Sequence, residues 1–270
     1  MPERPRWRLV VDEPGNGAWN MAVDEAILDA VVAGEVPATL RFYGWCPHCI
    51  SIGYAQKLHD FDLERLCADG VGLVRRPSGG RAVLHKQELT YCVCVPADDW
   101  RVSGGVLESY RRLSRGFLEG LRRLGLESTL AGEESGEKAG SAACFDAPSR
   151  HELVSAGRKI VGSAQWRHNG GVLQHGSVPL NGDVAELIEY VALAECEREA
   201  ARQALRRRAG TVAEALGRPV TFLEVATALA AGLADVLGLG WQESGLTAAE
   251  RERAGKLVRE KYSDAPGQRA

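Results

Sequence analysis

The sequence predicts an α+β fold: a mixed, largely antiparallel β-sheet flanked by helices, with a helical C-terminal segment. Three observations carry that expectation. Short β-branched and aromatic runs come before mostly helical periodicity rather than alternating regularly with it. The clearest turn signals, Ala156-Gly157 and Asn169-Gly170, are those of hairpins. A hydrophobic share of 45% and a charged share of 26% over 270 residues are those of a globular chain able to bury a sizeable core. No internal repeat divides the chain. We therefore expect one domain over 1–270, with its core at about 19–180 and a helical part at about 181–270.

Taken in order, residues 20–32 place Val23, Ala26, Ile27 and Ala30 on one apolar stripe and Met21, Leu28 and Val32 on another. That pattern predicts a helix buried on two sides, in which Asp24 and Glu25 need partners. Strands are expected at 39–43, 50–52, 72–75 and 89–95, separated by Gly, Pro and polar residues. A second helix aligns Val106, Tyr110, Leu113, Phe117, Leu121 and Leu124 on its buried face, with Arg111, Arg115 and Arg122 on another stripe. Residues 131–143 are almost wholly Gly, Ser, Ala, Glu and Lys, a composition that buries little and reads as a mobile loop. Strands return at 152–154, 159–167 and 171–180. After Pro179 the pattern turns helical, with capping boxes at Thr221/Glu224 and Thr247/Glu250.

Charge and cysteine usage narrow the function classes. Lys and Arg number 33 against 36 acidic residues, a formal net charge of −3, so no global field favours polyanions and nucleic acid is not an expected partner. The first nine residues hold arginines but no signal-like apolar run, and no stretch approaches 18 apolar residues. We expect no membrane association and a cytoplasmic location. Seven cysteines is an odd count, and Cys92 and Cys94 lie inside a strand-like run, as reduced thiols would.

Signatures for P-loop, dinucleotide and zinc-protease sites are absent, and no metal site is expected. Cys46-Pro47-His48-Cys49 has redox or zinc spacing, but a strand-like run follows it where a thiolate-stabilising helix start is needed. A chance pair of loop cysteines is the alternative. The run from Arg75 to His85 joins two strand-like segments through Gly79 and Gly80. Glycines let backbone N–H groups approach a ligand, and the flanking arginines suit an anionic or carbonyl-bearing group. A tight turn with solvated arginines reads the same stretch equally well. Cys144 stands where Gly and Ser give way to Phe145 and Pro148, a placement that allows a reactive thiol, although an inert packed thiol is the commoner case. Lys159 follows the Ala156-Gly157 turn, and an ammonium near a thiol lowers its pKa. His85, His151 and His175 are rival bases, and spacing does not choose among them.

Five ordered motifs, NMAVDEAIL, SIGYAQ, RRPSGGRAVLHKQELTY, CFDAPSRHEL and GRKIVGSAQWRHNGGVLQHGS, together resemble the lipoate ligase/biotin ligase catalytic-domain family, closest to its octanoyltransferase branch. The likeness runs from about residue 19 to 180. It implies a twisted mixed sheet binding a medium-chain acyl group beside the Gly-Gly loop. It implies Cys144 as an acyl-thioester nucleophile and Lys159 as the residue lowering its pKa. Arg76, Ser78, Gly79, Gly80, Ala82, His85, Gly162, Ser163 and Ala164 become the substrate-binding set. The implied donor is octanoyl-acyl carrier protein, and the acceptor a lysine on a lipoyl-domain protein such as glycine cleavage H protein. No cofactor is needed because the donor is already activated, and a monomer is expected. The arginine stripe at 111, 115 and 122 is then either a carrier-docking face or a solvated one. The alternatives are an ATP-dependent lipoate-protein ligase, an amidotransferase taking octanoyl from a modified protein, and a noncatalytic acyl-binding module. The chain departs from the family in its Cys46/Cys49 loop and in lacking a tryptophan near Tyr262.

Overall fold

The computed structural model describes residues 4–131 and 152–262. Cys144, His151 and all but the first residue of the expected 131–143 loop lie outside the described residues.

Strands β1 (Arg6–Val11), β2 (Thr39–Tyr43), β3 (Cys49–Ile52), β4 (Gly72–Arg75), β5 (Val83–His85) and β6 (Glu88–Pro96) occupy the first third of the chain. Strands β7 (Thr129–Leu130), β8 (Leu153–Ser155), β9 (Arg158–His168), β10 (Gly171–Pro179) and β11 (Gly240–Glu243) follow. Among the described residues they form an eight-stranded sheet in the order β11-β1-β2-β6-β10-β9-β8-β7, and a three-stranded sheet in the order β4-β3-β5. In the small sheet β3 is parallel to β4 and antiparallel to β5; in the large one the run β2-β6-β10-β9-β8-β7 is antiparallel and β1 pairs in parallel with both β2 and β11. The mixed, largely antiparallel expectation describes this sheet.

Three of its strands were not foreseen, β7 among them because two residues carry no periodic signal. β1 reads Arg-Trp-Arg-Leu-Val-Val, and its arginines mask the alternation. Arg8 is nonetheless buried: it donates to Glu250 bidentately, at 2.9 Å through Nη1, and to Thr39 Oγ1 at 3.0 Å. β11 is four residues long within a helical stretch, too short for a periodic signal. The sheet therefore reaches beyond 19–180 at both ends.

Helix α1 (Gly17–Val32) is capped by the Asn16 side chain, which accepts from the Trp19 N–H at 2.9 Å. Both stripes are buried, with Val32 emerging at the end. Burial on two sides leaves Asp24 and Glu25 away from water, so each needs hydrogen-bond donors. Arg41 and the Tyr43 hydroxyl supply Asp24, each at 2.8 Å, and Lys261 and the Tyr262 hydroxyl supply Glu25 at 2.7 and 2.6 Å. Lys261 and Tyr262 thereby tie the residues that follow Leu257 to α1.

The short helix α2 (Leu63–Ala68) packs near β4, and α3 (Val106–Arg123) covers the other face of the large sheet. Leu113, Phe117 and Leu121 are buried as expected, whereas Val106 is 55% exposed because it occupies the first turn, beyond the edge of the core. Arg111, Arg115 and Arg122 are exposed. Helices α4 (Glu195–Arg208), α5 (Val212–Leu216), α6 (Phe222–Leu237) and α7 (Ala248–Leu257) complete the fold. The predicted capping boxes at Thr221/Glu224 and Thr247/Glu250 open α6 and α7. α3 and α6 cross so closely that a Cβ on Gly232 would stand 2.2 Å from the Gly120 nitrogen.

Two hairpins set the register of the site. Ala156 and Gly157 have φ of 48° and 74°, and Asn169 and Gly170 have 46° and 81°. Paired left-handed residues give turns whose twist matches the flanking strands. The second turn aligns Gly162, Ser163 and Ala164 with Ser177, Gly176 and His175, and the first places Lys159 opposite Val154.

Candidate active site

A cavity of about 630 Å³ opens where the Gly-Gly loop faces β9 and β10. Arg76, Gly79, Gly80, His85, Gly162, Ser163 and Ala164 line it, and so does Lys159. Ser78 sits behind the wall, 1% exposed. Ala82 lines a second cavity on the far side of the same loop.

The loop is held by its own arginines. Arg76 Nη1 donates to the Ser51 carbonyl and hydroxyl, both at 2.7 Å, and Nη2 to the carbonyls of Gly79 at 3.1 Å and Arg81 at 2.9 Å. Arg75 likewise donates to the carbonyls of Gly53, Tyr54 and Gln56 at 3.0, 3.1 and 2.7 Å. Burial pulls the Arg76 guanidinium down to about 10. These guanidiniums bind backbone carbonyls that β-pairing leaves over, so the solvated-turn reading is incorrect and their hydrogen bonds shape the loop first. Gly53 permits the approach: a Cβ there would lie 2.2 Å from the Gly80 carbonyl oxygen.

Behind the loop, Ser78 Oγ is 2.5 Å from His175 Nε2, and His175 Nδ1 is 3.4 Å from Asp24 Oδ2. Burial pushes the His175 pKa down against the pull of Asp24, so the ring is neutral near pH 7. The matching arrangement assigns Nδ1–H to Asp24 and leaves Nε2 to accept from Ser78. His85 lies on the other side of Arg76: Ser51 Oγ is 2.7 Å from its Nε2 and Trp45 stacks on it at 3.9 Å, while its Nδ1, 3.1 Å from Glu88 Oε1, makes no hydrogen bond among the described residues. Trp45 is fixed in turn by its Nε1–H donating to Thr90 Oγ1 at 2.7 Å.

Lys159 is different. Its Nζ lies 2.6 Å from Glu152 Oε1, and its side chain is 35% exposed against 8% for Glu152. Sequence reading missed Glu152 because one carboxylate before a short strand carries no periodic mark. It also missed the role of Asp24, which was expected only to need a partner. Ser163 Oγ is 2.5 Å from the Tyr91 hydroxyl, beneath the same wall.

The Cys46/Cys49 pair does not build a site. Cys46 is exposed, while Cys49 is buried at the start of β3, and burial pushes its thiol up to about 12. Such a thiol stays protonated and unreactive. Among the described residues, no cluster of three His, Cys, Asp or Glu side chains is arranged to hold a metal ion, and no helix is long and apolar enough to cross a membrane.

The chain belongs to the lipoyl protein ligase A/B catalytic domain family, whose profile matches residues 16–234. It is 46% identical over 265 residues to Octanoyltransferase LipM of Symbiobacterium thermophilum, covering 95% of each chain. It is 44% identical to Octanoyltransferase LipM of Kyrpidia tusciae, covering 96% of this chain and 97% of that one. Among solved structures, a bipartite lipoate protein ligase from Thermoplasma acidophilum superposes with a TM-score of 0.81 at 27% identity, covering 96% of this chain and 94% of that one.

Proposed function

We infer that this chain is an octanoyltransferase of lipoate biosynthesis, and we propose that it works through a thioester on Cys144. The donor is octanoyl-acyl carrier protein and the acceptor a lipoyl-domain lysine, as on glycine cleavage H protein. The observation that carries this reading is Lys159, set by a hairpin into the wall of the cavity beside the Gly-Gly loop and held at 2.6 Å by Glu152.

In the first half-reaction the Cys144 thiolate attacks the donor's carbonyl carbon. A new C–S bond forms, the old one breaks, and the departing carrier thiolate takes a proton from the Lys159 ammonium. In the second, the neutral acceptor amine attacks the enzyme thioester and an amide C–N bond forms. The Cys144 thiolate leaves, and the amine's surplus proton returns to Lys159. Thioester to thioester to amide runs downhill, so neither ATP nor a metal is required. The backbone N–H groups of Gly79, Gly80, Gly162 and Ser163 are the candidate donors to the tetrahedral oxyanions. The chain acts as a single catalytic domain over 1–270 and as a monomer. The free thiols at Cys46, Cys49, Cys67, Cys92, Cys94 and Cys196 suit the reducing cytoplasm.

Octanoyl-acyl carrier protein and a lipoyl domain, supplied without ATP, provide the test. Intact mass should reveal one octanoyl adduct that disappears in Cys144→Ser. Absence of the adduct, or undiminished transfer by Cys144→Ser, removes the proposal. Transfer that needs ATP would instead indicate a ligase.

A further inference from the structure

The Gly-Gly loop separates two chambers. The second, about 580 Å³, lies between β5, β9 and helix α4, and the two share Arg81, Val83, Lys159, Gly162, Ser177 and Arg208. Its wall is largely apolar: Phe61, Leu84, Ile160 and Leu187 face Ala204 and Leu205 of α4. Its size falls within the ~300–1,000 Å³ range of small-molecule pockets. Nothing in the octanoyl transfer described above uses it.

We propose that this second chamber receives the pantetheine arm of the acyl carrier protein donor. The proposal rests on the octanoyltransferase reading, because it needs a thioester whose carbonyl lies beside Lys159. From that carbonyl the acyl chain and the thiol arm must leave in opposite directions, and two chambers meeting at Lys159 offer those two exits. With the acyl chain in the chamber beside the Gly-Gly loop, the arm takes the other.

The chemistry of the walls agrees. Up to the phosphodiester that ties it to the carrier, the arm is long and uncharged, with branched methyl groups and amides, and Gln87 and Asn181 stand among the apolar lining residues. Charged groups there are already engaged: Lys86 pairs with Glu186 at 2.6 Å, and Asp183 with Arg206 at 3.1 Å. A chamber whose charges are partnered suits an uncharged amphipathic arm better than a polyphosphate. A lysine arm, with its four-carbon stem, would fill little of it.

The test compares four donors in forming the Cys144 adduct under single turnover: octanoyl-acyl carrier protein, octanoyl-pantetheine, octanoyl-coenzyme A and octanoyl-N-acetylcysteamine, which keeps the thioester but lacks most of the arm. The unmodified protein should react at least tenfold more efficiently with the full-length arm, and octanoyl-pantetheine, free of the carrier, should recover part of that advantage. Octanoyl-coenzyme A is included to separate the arm from its protein carrier, and it should fall below the carrier-bound donor. Ala201→Phe and Ala204→Phe, which fill the chamber from α4, should erase the advantage of the full arm while leaving the truncated donor unchanged. Thermal melting confirms their folding.

Equal efficiency of the truncated and pantetheine donors in the unmodified protein would overturn the assignment without help from any variant. So would variants that slow only deacylation onto the lipoyl domain, since the chamber would then belong to the acceptor. No adduct from any donor would remove the octanoyltransferase reading itself, and this inference with it.

Discussion

Two walls of one cavity hold their cations in opposite ways. On the Gly-Gly side, Arg76 is 8% exposed and its guanidinium bonds to Ser51, Gly79 and Arg81. On the hairpin side, Lys159 is a third exposed and bonds to one carboxylate, Glu152. A guanidinium forked among backbone oxygens fixes a loop and has no proton to spare at neutral pH, whereas an ammonium with one partner can still turn toward a reacting group and exchange a proton. The first wall gives shape. The second, in the mechanism we propose, moves protons.

The largest expected effect separates them. Lys159→Ala should lower octanoyl transfer by about 10²- to 10⁴-fold, the range of a lost acid–base group, with little change in unfolding free energy. The pH midpoint for Cys144 alkylation should rise if, as proposed, the Lys159 ammonium favours the thiolate. An unchanged alkylation profile would pass the activating role to another group, such as His151.

Arg76→Met should behave in the reverse manner. Leaving buried carbonyls unpaired should cost on the order of 3 kcal/mol in urea unfolding, and acyl binding should weaken with the loop. Wild-type stability in this variant would break the contrast between the walls.

Glu152→Gln tests whether one carboxylate suffices to place Lys159. Losing a charge-assisted hydrogen bond should slow transfer by roughly 10- to 100-fold. Unaltered single-turnover rates would mean that Lys159 is placed by the strand alone.

The smallest effect is a slope. Burial lowers the His175 pKa, so below the ordinary histidine range, near ~6.5, the unfolded chain takes up a proton that the folded one refuses. Stability from this residue is therefore present above that range and declines on acidification, by at most about 1.4 kcal/mol per pH unit. His175→Gln should flatten the decline below about pH 6.5, measured by urea unfolding. An identical slope in both proteins would show that another group supplies it.

Helices and hairpins were legible because their signals are local. α1, α3 and the capping boxes follow from side-chain period, and the turns at Ala156-Gly157 and Asn169-Gly170 from the residues that tolerate left-handed backbone. β1 and β11 escaped notice because a strand's place depends on its neighbour, and those neighbours are more than two hundred residues apart. The same limit applied to the site. Its Gly-Gly loop and Lys159 could be marked by motif, but Glu152 and the Ser78–His175–Asp24 array join residues that only the fold brings together.

By itself, then, the chain's sequence determined an α+β fold with a largely antiparallel sheet, a two-sided helix at its heart, and a family likeness that named a cysteine, a lysine and a glycine loop. Tertiary structure alone decided that the loop arginines bind backbone, that Cys49 is an inert buried thiol, and that Lys159 stands where two chambers meet. Periodicity and turns are written within a few residues of chain. Burial and pairing depend on what packs opposite, and distant segments supply it.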